Sequence, residues 1–143
     1  MSADAFNEAL EQFFRAMRTA RMKPGLLPGE LSRSQHVLLA PLLDNPTGAC
    51  SVRELAEAAD IASPTATRTL DGLERDGIVT RRPSQTDRRS VIVELTERGR
   101  EMMLASRKRM RAARAELYAR LDSSEQEEAE RILRRLTEII RSI

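Results

Sequence analysis

Apolar residues recur at helical spacing at the start of the chain, where Phe6, Leu10, Phe13 and Met17 line one face of a helix spanning Asp4 to Met22. Pro24-Gly25 stops it, and the stretch to Gly29 reads as a loop. "LSRSQHVLLAPLL" opens a second helix with Ser32 and Gln35 in capping-box spacing. Pro41 lies deep inside it and removes a bond to the Val37 carbonyl, which predicts a kink or a split. Asn45-Pro46-Thr47-Gly48 is a turn. Ser51 and Glu54 repeat the capping box and start a short helix carrying Leu55, Ala56 and Ala59, ending near Asp60. Ser63-Pro64 then supplies an N-cap and a first-turn proline. The helix that follows turns Ala66, Leu70 and Leu73 inward and stops at Gly77 as its C′ residue.

Beyond Gly77 the period changes. Ile78–Arg82 and Ser90–Leu95 read as two strands, the second with Val91, Val93 and Leu95 on one face and Ser90, Ile92 and Glu94 on the other. Thr96 caps a long helix running to about Leu121, with Met103, Met110 and Leu117 evenly spaced. A last helix restarts at Ser123, with acids in its first turns and an apolar stripe of Ala129, Ile132, Leu133, Leu136, Ile139, Ile140 and Ile143.

The 143 residues fit one domain, or a lobe with a helical extension. Aromatics make up only 3%, leaving little surface for stacking single-stranded bases. The net charge of +2 is uninformative, so the placement of charges decides the partner. A single cysteine, Cys50, excludes an internal disulfide, and one Cys with one His assembles no metal site. No glycine-rich phosphate loop or nucleophile elbow is present, so neither an enzyme nor a cofactor is expected. Without an apolar run long enough for a bilayer, or a secretory leader, the expected location is cytoplasmic.

Two short helices joined by a tight turn, the second opening with Ser-Pro, describe a helix-turn-helix. With Ala66, Leu70 and Leu73 inward, the residues Ser63, Pro64, Thr65, Thr67, Arg68 and Asp71 fall on or beside the outer face. The N-terminal end of such a helix enters the major groove, where Arg68 could present its fork to guanine. The short Thr65 and Thr67 let the backbone approach, and the helix N-terminus favours a phosphate. A merely solvated polar face would look the same in isolation; the adjoining hairpin tips the balance. Its tip carries Arg88 and Arg89, suited to a narrow minor groove, and its base carries Arg81 and Arg82, placed to meet phosphates. Asp87 beside them makes sense if it accepts bonds from loop amides or from Arg89 and fixes the tip.

"SVRELAEAADIASPTATRTLDGLERDGIVTRRPSQTDRRSVIVELTERG", residues 51 to 99, resembles the MarR-type winged helix-turn-helix regulators, most specifically through "LERDGIV", the Arg-rich strand, "DRR" and "LTERG". The flanking helices agree in number and order. The resemblance implies a mainly α fold with a small β-hairpin wing, with dimerisation helices at both ends, and a homodimer that binds a palindromic operator, usually as a repressor. It implies groove-reading roles for Pro64, Thr65 and Arg68, a minor-groove role for Arg89, an organising role for Asp87, and a phosphate or solvent contact for Arg88. It also implies release by a small phenolic or lipophilic anion, for which Arg15, Arg18 and His36 are the candidate lining. His36 shares a face with Leu39, Ala40 and Leu43 and reads first as a hydrogen-bonded core or interface histidine and only second as a ligand contact.

The two terminal apolar stripes point to a dimer independently, since pairing two chains covers both; packing within one chain is the alternative. The division expected is residues 1–30 and 97–143 for dimerisation and 31–96 for the DNA-binding lobe. "RKRMRAAR", from Arg107 to Arg114, reads as a solvated face paired in part with Glu125, Glu127, Glu128 and Glu130 across the turn. The rival function is a winged helix that coats DNA without reading it, or that serves as a protein-interaction module.

Overall fold

A computed structural model of the chain describes residues 2–21 and 30–143. The chain divides into two compact units, Met1–Glu30 and Leu31–Ile143. In the first, α1 (Ala3–Arg21) is a single helix on which Phe6, Leu10, Phe13 and Phe14 are all exposed. The expected stop at Pro24-Gly25, the helix end at Met22 and the side chain of Arg18 lie outside the described residues.

The second unit begins with α2 (Arg33–Asp44). The Ser32 hydroxyl accepts from the Gln35 amide at 3.2 Å, and the Gln35 side chain accepts from the Ser32 amide at 2.9 Å. Pro41 does not split this helix: α2 runs through it, and the Asn45 amide still reaches the Pro41 carbonyl at 2.9 Å. Pro41 follows exposed Val37 by one turn, so the missing bond falls away from the leucines that α2 buries. The Asn45–Gly48 turn follows, closed by Asn45 Nδ2 on the Ala49 carbonyl and by Gly48 at φ +68.

A strand that the pattern did not reveal comes next. β1 (Ala49–Ser51) leads into α3 (Val52–Ala59), whose capping box joins Ser51 and Glu54. Asp60 closes α3 in the left-handed region at φ 54. α4 (Ser63–Arg75) starts one residue earlier than its sequence suggests. Ala62, not Ser63, holds the N-cap position, Ser63 is already helical, and no side chain caps the first amides. Its other end fits expectation: the Gly77 amide bonds the Glu74 carbonyl at 3.0 Å and the Ile78 amide bonds Leu73 at 2.9 Å, with Gly77 at φ +72.

β2 (Val79–Pro83) and β3 (Val91–Leu95) form the hairpin, and β3 is central in a three-stranded antiparallel sheet of order β1-β3-β2. Cys50 faces Val93 across one ladder and Arg81 faces Val93 across the other. α5 (Glu97–Ala119) and α6 (Ser123–Ser142) complete the chain. The core of this unit gathers Leu38, Leu39 and Leu42, Leu55 and Ala56, Ala66, Leu70 and Leu73, with Ile78, Val79, Val93 and Met103 closing it. Burial at the three α4 positions follows the helical spacing of the sequence. Among the described residues no helix is long and apolar enough to cross a membrane.

Candidate nucleic-acid interface

The packing of Ala66, Leu70 and Leu73 fixes which side of α4 is left to solvent. Ser63, Pro64, Thr65, Thr67 and Arg68 are all exposed there. Because Ala62 supplies the cap position without a side chain, the Ser63 hydroxyl makes no capping bond. Arg68 has no carboxylate partner among the described residues.

The hairpin tip is built by its own polar atoms. The Ser84 amide bonds the Ser90 carbonyl at 2.9 Å, and the Ser84 hydroxyl accepts from the Thr86 and Asp87 amides, each at 3.3 Å. Asp87 then closes a turn. Its carbonyl accepts from the Ser90 amide at 3.0 Å, while its carboxylate accepts from the Arg89 amide and the Ser90 hydroxyl, both at 3.0 Å. Arg88 and Arg89 are the two middle residues of that turn, and both are exposed. Asp87 thus bonds the backbone of Arg89, and neither guanidinium has a carboxylate partner among the described residues.

Neighbouring cations are committed elsewhere. Arg53 pairs with Glu57 at 3.0 Å and Arg82 with Glu94 at 3.0 Å. Arg81 reaches Asp71 at 2.7 Å and Glu74 at 2.5 Å, both on α4. Its hydrogen bonds to the accepting carboxylates of Glu74 and then Asp71 push its pKa up, outweighing its partial burial. Sequence reasoning missed this triad, although the one-turn spacing of Asp71 and Glu74 was a signal that one cation could bridge them.

Residues 31–91 match the model of the MarR family. That stretch, from α2 to the start of the third strand, is a MarR-family domain. It is similar to the transcriptional regulator PA4135, with 28% identity over 93% of this chain and 96% of that one, at a TM-score of 0.70. Two further likenesses show the fold. A mutant MarR from E. coli complexed with operator DNA shares 21% identity over 95% and 99% of the two chains, at a TM-score of 0.71. BpsR of Bordetella bronchiseptica, whose DNA binding is regulated by 6-hydroxynicotinic acid, shares 22% identity over 91% and 98%, at 0.69. In MarR-family terms the fold is a winged helix, with α4 in the position of the recognition helix and the β2–β3 hairpin as the wing. The matched domain is that of a family of DNA-binding transcriptional regulators.

The expected effector residues are distributed over both units. Arg15 is exposed on α1, and His36 is buried in α2 at 7% exposure. The expectation of a hydrogen-bonded histidine meets a correction, because His36 Nδ1 has no partner among the described residues. Burial lowers its pKa below 6.5, and Arg107, Arg114 and Arg109 lower it further. Between the lowered value and 6.5 the unfolded chain therefore takes up a proton that the folded one refuses, so stability is full above 6.5 and falls as pH drops below it. Urea unfolding at pH 7.5 and 5.5 should show His36→Leu losing less stability than wild type over that interval. Equal losses would remove His36 from the account.

The basic run on α5 also differs from expectation. Glu128 and Glu130 pair along α6 itself, with Arg131 at 3.7 Å and Arg134 at 2.6 Å, and Glu125 completes the α6 capping box with Asp122. Arg107 instead reaches Asp44 on α2 at 2.9 Å. Acids at the start of α6 serve their own helix first because those partners are one turn away.

Proposed function

We propose that this regulator acts as a homodimer on an inverted-repeat operator, represses transcription there, and lets go when a small phenolic or lipophilic anion binds. The observation that carries the reading is the contrast in cation use: Arg53, Arg81 and Arg82 are ion-paired, whereas Arg68, Arg88 and Arg89 keep their guanidiniums uncommitted on α4 and the wing tip. An arginine left unpaired beside solvent gains little for the fold, and its whole fork is available to a base edge or a phosphate. Pro64, Thr65 and Thr67 let the α4 backbone approach the major groove, and the Ser63 hydroxyl with the uncapped amides receives a phosphate. Arg89 enters the minor groove, Asp87 holds the turn that presents it, and Arg88 attends the backbone. Operator binding by the MarR relative and regulation of BpsR by a hydroxylated aromatic acid support both halves of the reading. Of the residues expected to meet the anion, His36 is buried in α2 in the field of Arg107, Arg114 and Arg109.

Selection of genomic fragments by the purified protein tests this. One inverted repeat should be preferred over random duplex by about 10³ or more, with paired protected halves about 34–36 Å apart. Equal affinities would identify a coating protein; no binding would identify an interaction module. On the selected site Arg68→Ala should cost about 1–3 kcal/mol and relax base preference. Arg89→Ala should weaken binding most where the flanks are A·T-rich; uniform weakening across flanks would make Arg89 a phosphate contact.

A further inference from the structure

The wing base holds a cation that the DNA-reading account does not use. Arg81 lies on β2, seven and ten residues from its partners, yet its side chain is only 21% exposed. Asp71 and Glu74 stand one turn apart on the same face of α4, so a single guanidinium spans both: Nη2 donates to Asp71 Oδ1 and Nε donates to Glu74 Oε2. Strand alternation sends Arg82 the other way, to Glu94 on the neighbouring strand, where it stays half-exposed. Two adjacent arginines therefore have different duties. Arg82 ties strand to strand, and Arg81 ties strand to helix.

That tie joins the two elements that read DNA. Beyond it the hairpin extends as a two-stranded ribbon, and such ribbons owe their orientation to what holds their base. The carboxylates matter too: left unpaired, Asp71 and Glu74 would present two negative charges on the reading helix close to phosphates. We propose that Arg81 is a positioning residue, a clasp that sets the angle between wing and recognition helix, masks two acids, and contacts no phosphate itself. This rests on the DNA-reading assignment of α4 and the wing. The sequence alone had placed Arg81 among the phosphate contacts, and its occupied fork argues against that.

Salt titrations separate the two roles. A phosphate contact adds about 0.9 per protomer to the slope of log affinity against log salt, independent of sequence. A clasp adds nothing to the slope and instead sets the ratio of operator to random-duplex affinity. Arg81→Met should leave the slope unchanged and lower that ratio tenfold or more. Arg81→Glu should lower it further, and adding Glu74→Arg, which restores the pair with reversed polarity, should recover most of the loss. A slope reduced by about 0.9 per protomer with the ratio intact, or a folded charge-swap protein no better than Arg81→Glu, would overturn the proposal. Amide exchange of the DNA-free protein reads the clasp independently: residues 79–95 should exchange about tenfold faster in Arg81→Met and return toward wild type in the swap. Unchanged exchange overturns it. If wild-type protein discriminates no duplex, the DNA-reading assignment fails, while the exchange data still decide whether Arg81 orients the hairpin.

Discussion

Replacing Gly99 by alanine is expected to destabilise the second unit by about 3 kcal/mol, against the usual sign for a helical glycine. In most helix interiors Gly→Ala gains up to about 1 kcal/mol, because glycine loses more backbone freedom on folding. Gly99 is in the first turn of α5, which is docked on the corner that ends α4. The Thr96 amide donates to the Ile78 carbonyl at 3.0 Å, the Thr96 hydroxyl donates to the Gly77 carbonyl at 2.6 Å, and the same hydroxyl accepts from the Gly99 amide at 3.0 Å. These bonds bring backbone against backbone. A Cβ on Gly99 would lie 2.0 Å from the Ile78 carbonyl oxygen and 2.9 Å from its carbon, and neither atom can move without opening the corner. Gly72 is the internal control. Its added Cβ would meet only the far end of the Arg75 side chain, at 3.7 Å, so Gly72→Ala should stabilise by about 1 kcal/mol. Urea unfolding of the two variants reads both signs, and a Gly99→Ala protein as stable as wild type would show that the corner yields.

The contrast between those two glycines marks where sequence reading succeeds. Nothing in "ERGRE" distinguishes Gly99 from a tolerated helical glycine, because its constraint comes from Ile78, a residue of another element. The features read correctly are those whose partners lie within four residues: the capping boxes at Ser32 and Ser51, the Thr96 cap, the Gly77 terminus and the inward face of α4. Errors begin where distant parts of the chain decide. β1 is three residues long, too short for alternation to register, and exists because β3 offers an open edge more than forty residues away. Ser63 has the composition of a cap but lies inside the helix, since α4 extends one residue further toward α3. The candidate site divides in the same way. The exposure of Arg68, Arg88 and Arg89 follows from local periodicity and turn chemistry, whereas the engagement of Arg81 depends on how β2 crosses α4.

Arginines placed on the last helix should cost far more operator affinity than either reading-residue substitution. α6 buries none of its residues in the single chain: Leu133 is 64% exposed, Ile140 70% and Ile143 fully so, with Ile132 and Ile139 along the same stripe. The other face is occupied by its own ion pairs, Glu130 with Arg134 and Glu138 with Arg135, so the two faces have opposite chemistry. An exposed apolar stripe of that length is unusual, and the proposed dimer would cover it with an identical stripe on a second copy, the commonest symmetry. On an inverted repeat, pairing makes the second half-site contact intramolecular, which raises affinity by about 10²–10⁴ without any new contact to DNA. Leu133→Arg combined with Ile140→Arg should therefore give a monomer by sedimentation, with helical content retained. Affinity for a single half-site should be unchanged, and affinity for the inverted repeat should fall by about 10²–10⁴. Arg134→Ala, on the opposite face, should leave assembly and binding intact. A double variant that still sediments as a dimer would place the assembly surface elsewhere. A wild-type monomer that binds the repeat with full affinity would show that each lobe reads its half-site alone.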